Sequence, residues 1–170
     1  MEERVVLVDT TDQQIGTEEK IKAHKEAKLH RAFSVFVFNS KGEILLQQRA
    51  ASKYHGGGLW SNACCSHPRE GETVEVAAHR KLQQEMGFDT ELKKMFDFIY
   101  KVPFENGLWE HEFDHVLIGR WDGSPQVNLE EVQAWKWVSP EELKQDVAAH
   151  PKQYTEWFKI VLEKVLAYQS

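Results

Sequence analysis

The segment Phe33-Ser34-Val35-Phe36-Val37-Phe38 constrains the fold most. It is too densely apolar for an exposed helix, and its β-branched and aromatic side chains suit a buried strand. Asn39-Ser40-Lys41-Gly42 has turn composition, and Glu43 to Gln48 reads as the returning strand of a hairpin. Val5–Val8, Asp97–Val102, Trp109–Trp121 and Ala134–Val138 read as further strands, while Thr17–Leu29 is charged and tolerant of helix. Gly56-Gly57-Gly58 marks a loop with a free backbone. Val74, Ala78 and Leu82 recur at every fourth position, which predicts a helix from about Glu72 to Met86, ended by Gly87. Ser139-Pro140-Glu141-Glu142 is a helix start, with Ser139 as N-cap, Pro140 in the first position and Glu142 closing a capping box. A last amphipathic helix spans about Thr155 to Tyr168. Strands and helices mix without regular βαβ alternation, so the expected class is α/β, a mixed α+β sheet sandwich forming one domain over residues 1–170.

Composition narrows the function classes. A chain of 170 residues buries roughly 70% of its unfolded surface and needs no staples to fold. The net charge of −6 argues against a nucleic-acid surface, though not against an anion held in a local basic pocket. No apolar run approaches the roughly 20 residues of a membrane span, and Met1 to Asp9 lacks the pattern of a secretory leader. The only cysteines, Cys64 and Cys65, are adjacent and close no useful loop, which points to a reducing, cytoplasmic setting. A monomer is favoured.

Several residue groups carry chemistry. Of eight histidines, His24, His30 and His67 have plausible ligand context. His55, His79, His111, His115 and His150 read as structural or surface residues. In Trp109-Glu110-His111-Glu112-Phe113 the strand period of two puts Glu110 and Glu112 on one face, where they repel unless something positive neutralises them. Three imidazoles and two carboxylates suit Mn, Zn, Fe or Mg rather than a closed cysteine-rich zinc site; the bland alternative is an acidic solvated face. Cys65 follows the glycine run within a polar, loop-like stretch, Ser61 to Pro68. It is either a small buried apolar residue or a thiol held partly as thiolate by nearby positive charge. Lys20, Arg49 and Lys53 flank the hairpin and the glycine loop, and Lys81 lies one turn before Glu85. Together these four form a candidate diphosphate clamp, with magnesium bridging to Glu85.

The segment Arg80-Lys81-Leu82-Gln83-Gln84-Glu85-Met86-Gly87 resembles the C-terminal half of a Nudix box, Arg-Glu-U-x-Glu-Glu-x-Gly with U apolar. Arg80, Leu82, Glu85 and Gly87 match. Lys81 and Gln84 stand where the hydrolases carry metal-holding glutamates, and Ser66 stands where the box has its first glycine. The fold is kept and diphosphate hydrolysis is put in doubt.

His30-Arg31-Ala32-Phe33-Ser34, Leu45-Leu46-Gln47-Gln48-Arg49, Ser61 to Pro68, Trp109-Glu110-His111-Glu112 and Trp157-Phe158-Lys159 resemble the type I isopentenyl-diphosphate isomerases, over about Val5 to Leu166. The resemblance implies a Nudix-like fold and interconversion of isopentenyl and dimethylallyl diphosphate. It implies a divalent metal (Mn, Zn or Mg) on His24, His30, His67, Glu110 and Glu112. It implies an acid–base pair of Cys65 and Glu112 on opposite faces of the substrate, Cys64 not being the essential thiol. Tyr100 would support Glu112 at the alkene end, Trp157 would face the reacting carbons, and Lys20, Arg49, Lys53 and Lys81 would hold the diphosphate, with magnesium at Glu85. Two other functions compete. A Nudix hydrolase is opposed by Lys81 and Gln84. A non-enzymatic metal module would leave Cys65, Tyr100 and Trp157 without a task.

Overall fold

A computed structural model describes residues 3–53, 56–104 and 106–169, the side chain of Gln169 excepted; His55 lies outside them. Nine strands form one sheet system: β1 (Arg4–Val8), β2 (Gln14–Glu19), β3 (His30–Phe38), β4 (Ile44–Arg49), β5 (Trp60–Ser61), β6 (Cys64–Ser66), β7 (Leu92–Pro103), β8 (Trp109–Arg120) and β9 (Val132–Val138). The helices are α1 (Lys20–Lys25), α2 (Val74–Met86), α3 (Pro140–Ala149) and α4 (Glu156–Gln169).

The apolar run lies in β3, and its alternation decides the layers. Phe33, Val35 and Val37 pack with Leu45 of β4 and with Ala78, Leu82 and Met86 of α2. Phe36 and Phe38 point the other way, onto Phe158, Val161, Leu162 and Val165 of α4. Helices therefore cover both faces, and each large side chain so buried contributes about 1.5–3 kcal/mol relative to exposure. On α4 the buried stripe starts at Trp157 and Phe158, while Ile160 is 51% exposed.

The expected hairpin forms differently. β3 and β4 share a single pair, Phe38 with Ile44. β3 instead runs parallel to β8, from His30–Glu112 to Phe38–Arg120, and antiparallel to β6. β4 turns away to β9 and β5. Each strand is buried on both faces and finds its own long partner, so the local turn does not dictate pairing. Two other expectations are corrected. The stretch Thr17–Leu29 is mostly not helical: it ends β2 and then makes only the short α1. The loop-like Ser61–Pro68 contains β5's end and β6, and Cys65 sits on a strand opposite Ser34.

The ends of α2 follow their caps. Thr73, not Glu72, is the N-cap, its hydroxyl accepting from Val76 N. Glu72 is instead held by Arg80 through two bonds of 2.8 Å. Gly87 closes the helix at φ 73°, where a Cβ would stand 2.3 Å from the Gln126 carbonyl oxygen. At α3, Ser139 accepts from Glu142 N at 3.2 Å, and Pro140 occupies the first turn.

Candidate active site and metal centre

The strand pairing assembles a cluster from distant sequence. His30 opens β3 directly opposite Glu112 of β8. Glu110 lies two residues earlier on the same face, His24 reaches in from α1 and His67 follows β6. One donor atom from each of these five residues lies within 4.8 Å of all the others. His24 Nδ1 donates to the Lys20 carbonyl at 2.6 Å and His30 Nδ1 to the Lys28 carbonyl at 2.9 Å, which turns both Nε2 atoms inward.

These inward atoms meet acceptors. His24 Nε2 lies 3.0 Å from Glu110 Oε1, and His67 Nε2 lies 2.9 Å from Glu112 Oε2. His30 Nε2 lies 3.3 Å from Glu112 Oε2, buried and without a hydrogen bond. Lone pairs facing carboxylates at these distances require a proton or a cation between them. An octahedral ion with ligands at about 2.1 Å sets adjacent donors about 3.0 Å apart, so the donor set fits a divalent metal of borderline or hard character. Electrostatics agree. Burial and the Glu112 charge push the Glu110 carboxyl up to about 8. Glu112 is held well below its usual range: burial opposes this, but hydrogen bonds led by that from Glu110 prevail. Without a cation the pair thus carries a single negative charge. Burial keeps His67 neutral, pushed down to about 3.

Glu112 is also bonded by the Tyr100 hydroxyl, directly across the β7–β8 ladder. Asp114, next on the same face, is equally buried; Ser34 Oγ donates to its Oδ2 at 2.8 Å, and burial raises its carboxyl well above the ordinary range. Sequence reading missed Asp114, although the period that joins Glu110 to Glu112 continues to it.

Cys65 lines the same pocket as Tyr100 and Glu112. Its sulfur accepts from Trp157 Nε1 at 3.0 Å and donates to Asn62 Oδ1 at 3.4 Å. Asn62 is fixed by donating to the carbonyls of Val35 and Cys64, each at 2.9 Å. The expected partial thiolate is not what this environment favours. Burial pushes the thiol up to about 12, and the charge of Arg49 only partly counters it. Cys64 points into the core beneath α2. Trp157 lines the pocket as well, with the Arg49 guanidinium 5.2 Å from its ring centroid.

The other end of the pocket is basic. Lys20, Arg49, Lys53 and Lys81 all line it, with Glu85. Lys81 Nζ lies 3.3 Å from Glu85 Oε2, as the helix spacing predicts. Two carboxylates were not foreseen: Glu3, 3.1 Å from Lys20 Nζ, and Glu131, hydrogen-bonded to Lys53 Nζ. Glu3 precedes the recognisable motifs and Glu131 lies between two of them, and only their pairing with the lysines marks them. The other described histidines stay outside the cluster. His111 donates to the Ala27 carbonyl, His115 bonds Asp12, His79 bonds Asp89, and His150 caps α3.

Comparison with known proteins adds three findings. A family model described as NUDIX domain matches residues 28–158. The chain is 51% identical over 170 residues to isopentenyl-diphosphate Delta-isomerase 2 of Aromatoleum aromaticum, covering all of this chain and 90% of that protein. It is 52% identical to the enzyme of the same name from Photorhabdus laumondii, covering all of this chain and 96% of that one. Among solved structures, DR0079 from Deinococcus radiodurans superimposes with a TM-score of 0.78 at 22% identity, over 95% of this chain and 98% of that one, a likeness of fold.

Proposed function

This chain belongs to the isopentenyl-diphosphate Delta-isomerase family on a NUDIX fold, and on that premise we propose how its pocket divides the work. The reaction interconverts isopentenyl and dimethylallyl diphosphate in isoprenoid biosynthesis. Moving an unactivated double bond takes a proton added at the terminal carbon and another removed from the methylene beside the resulting tertiary cation. That calls for a fixed acid and a fixed base, with no water nucleophile. Lys81 and Gln84, in place of hydrolase glutamates, accord with this.

Glu112, hydrogen-bonded by Tyr100, delivers the proton at the alkene end. Cys65 receives one at the other face. In the free site the pair stands the other way, with Glu112 ionised and the thiol protonated. The reacting form is therefore the one in which the thiol proton has passed to Glu112, and the Trp157 N–H and the Arg49 charge favour the sulfur left behind. Each turnover exchanges the protonation states of the two groups, which re-equilibrate before the next. The Trp157 ring stabilises the cation by about 2 kcal/mol when desolvated. Buried walls keep out the water that would quench it. His24, His30, His67, Glu110 and Glu112 would hold one divalent ion, Mn, Zn or Mg. When bound, it supplies the positive charge that two buried carboxylates lack. Lys20, Arg49, Lys53 and Lys81 grip the diphosphate, and Glu85 would anchor its magnesium.

The observation that carries this reading is a single pocket in which a Tyr-bound carboxyl, a Trp-bound thiol and four cations converge. The reading includes one domain over residues 1–170, a monomer, and a cytoplasmic enzyme with no nucleic-acid or membrane partner. The net charge of −6 supports it, and no described helix is long and apolar enough to cross a membrane. Incubation with isopentenyl diphosphate and metal, followed by NMR, tests it: allylic diphosphate is the expected product. Release of phosphate in place of the allylic isomer would return the pocket to hydrolysis.

A further inference from the structure

At the diphosphate end carboxylates already engage the lysines: Lys20 is paired with Glu3, Lys81 with Glu85 and Lys53 with Glu131. Glu131 is set apart by how firmly it is placed. Its N–H donates to the Asn128 carbonyl at 2.9 Å, and its own carbonyl accepts from Ala50 N at 3.0 Å. The loop before β9 is thereby stitched to the start of the glycine loop that carries Lys53. The Glu131 carboxylate interacts with Lys53, Lys81 and Lys20, and Lys81 interacts with both Glu85 and Glu131. Both carboxylates thus act on one lysine, and all three residues line the pocket wall where magnesium is expected.

Charge makes the arrangement consequential. Among the described lining residues, four cations face three carboxylates at this end, a net charge of about +1. A bare diphosphate would have to draw Lys53 off Glu131 while competing for Lys81 and Lys20 as well, leaving a half-buried carboxylate short of positive charge, which is costly. A diphosphate arriving with magnesium offers that carboxylate a hard cation in exchange.

We propose that Glu131 is a positioning residue that exchanges partners, neutralising Lys53 in the free protein and turning to the diphosphate-bound magnesium beside Glu85 when substrate takes Lys53. This rests on the reading of Glu85 as the magnesium anchor. It makes the pocket selective for the metal-complexed diphosphate, and it differs from a plain latch on the glycine loop.

The test is calorimetric titration of the full chain with inorganic pyrophosphate, with and without magnesium, on wild type, Glu131→Gln and Glu85→Gln. Glu131→Gln is expected to bind metal-free pyrophosphate at least about tenfold more tightly than wild type, and to gain at least about tenfold less from magnesium. Equal magnesium dependence in wild type and Glu131→Gln overturns the proposal. So does a parallel loss of affinity with and without magnesium, the signature of a latch. If magnesium leaves wild type unaffected and Glu85→Gln behaves alike, the Glu85 reading fails and the exchange falls with it.

Discussion

The Cys65 sulfur lies between a donor, Trp157 Nε1, and an acceptor, Asn62 Oδ1. A thiol so held has a fixed rotor, and burial keeps its proton on. Cys65→Ala is therefore expected to fold normally and to lose at least about 10³ in turnover, since no water route replaces it. Cys64→Ala removes only core volume and leaves turnover largely intact. Near-wild-type product formation by the Cys65 variant, followed by NMR, would remove the thiol from the mechanism. Trp157 has two jobs, and its substitutions separate them. A tertiary-ammonium diphosphate mimics the cation and senses the ring face. Its affinity should fall slightly in Trp157→Phe and by about 1–2 kcal/mol in Trp157→Leu. Turnover senses the N–H as well, so Trp157→Phe should lose more turnover than analogue affinity. Equal analogue affinity in all three proteins would reduce the tryptophan to packing. The sequence, through its resemblance, singled out Cys65 and Trp157 separately, the one as partner of Glu112 and the other as facing the reacting carbons. Their hydrogen bond was not legible, because it depends on how α4 docks on β6, which no local pattern encodes.

At the scale of the element, β8 carries Glu110, Glu112 and Asp114 on one buried face. Period-two reasoning found the first two from residue type alone. The partners of β8 were hidden: parallel pairing with β3 joins residues 82 apart, such as His30 and Glu112, and no turn announces it. For the same reason the local hairpin signal at Asn39–Gly42 misled, correct as a turn and wrong as a ladder. The carboxylate row has a pH consequence. Without metal the folded Glu110–Glu112 pair keeps a proton up to about pH 8, whereas an unfolded glutamate has lost it by about pH 5. The folded state thus binds more protons, and stability falls as pH rises. His67, pushed down to about 3, works in the opposite sense only below about pH 6.5, where an unfolded histidine charges. Urea unfolding of chelated protein should therefore show stability declining between about pH 6.5 and 8. Metal-saturated protein, with both carboxylates ionised, should lose the part of that slope due to the pair and keep only what the buried Asp114 carboxyl, raised in the same sense, contributes. Metal titration at pH 7, compared across buffers of different ionisation enthalpy, should register proton release from this pair. A flat profile without metal would mean that the pair does not share its charge. Gly87→Ala acts through α2 instead. A Cβ at φ 73° and 2.3 Å from the Gln126 oxygen should cost about 2 kcal/mol or more in unfolding. It should also disturb Glu85, two residues earlier.

Across the whole molecule, the five-residue cluster ties together α1, β3, the turn after β6 and β8, while the two large apolar clusters lie between the sheet and α2 or α4. Site and core are thus separate supports. Filling the site at a thousandfold excess over the metal's Kd adds about 4 kcal/mol, against a total of about 5–15 kcal/mol for an ordinary domain. The chelated protein should then remain folded, with near-UV circular dichroism retained and a melting temperature lower by about 8–16 °C. Loosening should concentrate where the ion was the main tie. α1 is only six residues long and its buried His24 bonds Glu110 within the site, so hydrogen exchange should rise there and much less in α2. Isomerase activity should vanish on chelation and return with Mn, Zn or Mg. That pattern, a folded but inactive chain, is what an enzyme with a catalytic metal gives. A structural metal module gives the opposite: chelation unfolds the chain, melting and activity are lost together, and exchange rises in α1 and α2 alike. Such a result would mean that the apolar layers on β3 cannot hold the sheet alone, and the role of the His/Glu centre would move from chemistry to folding.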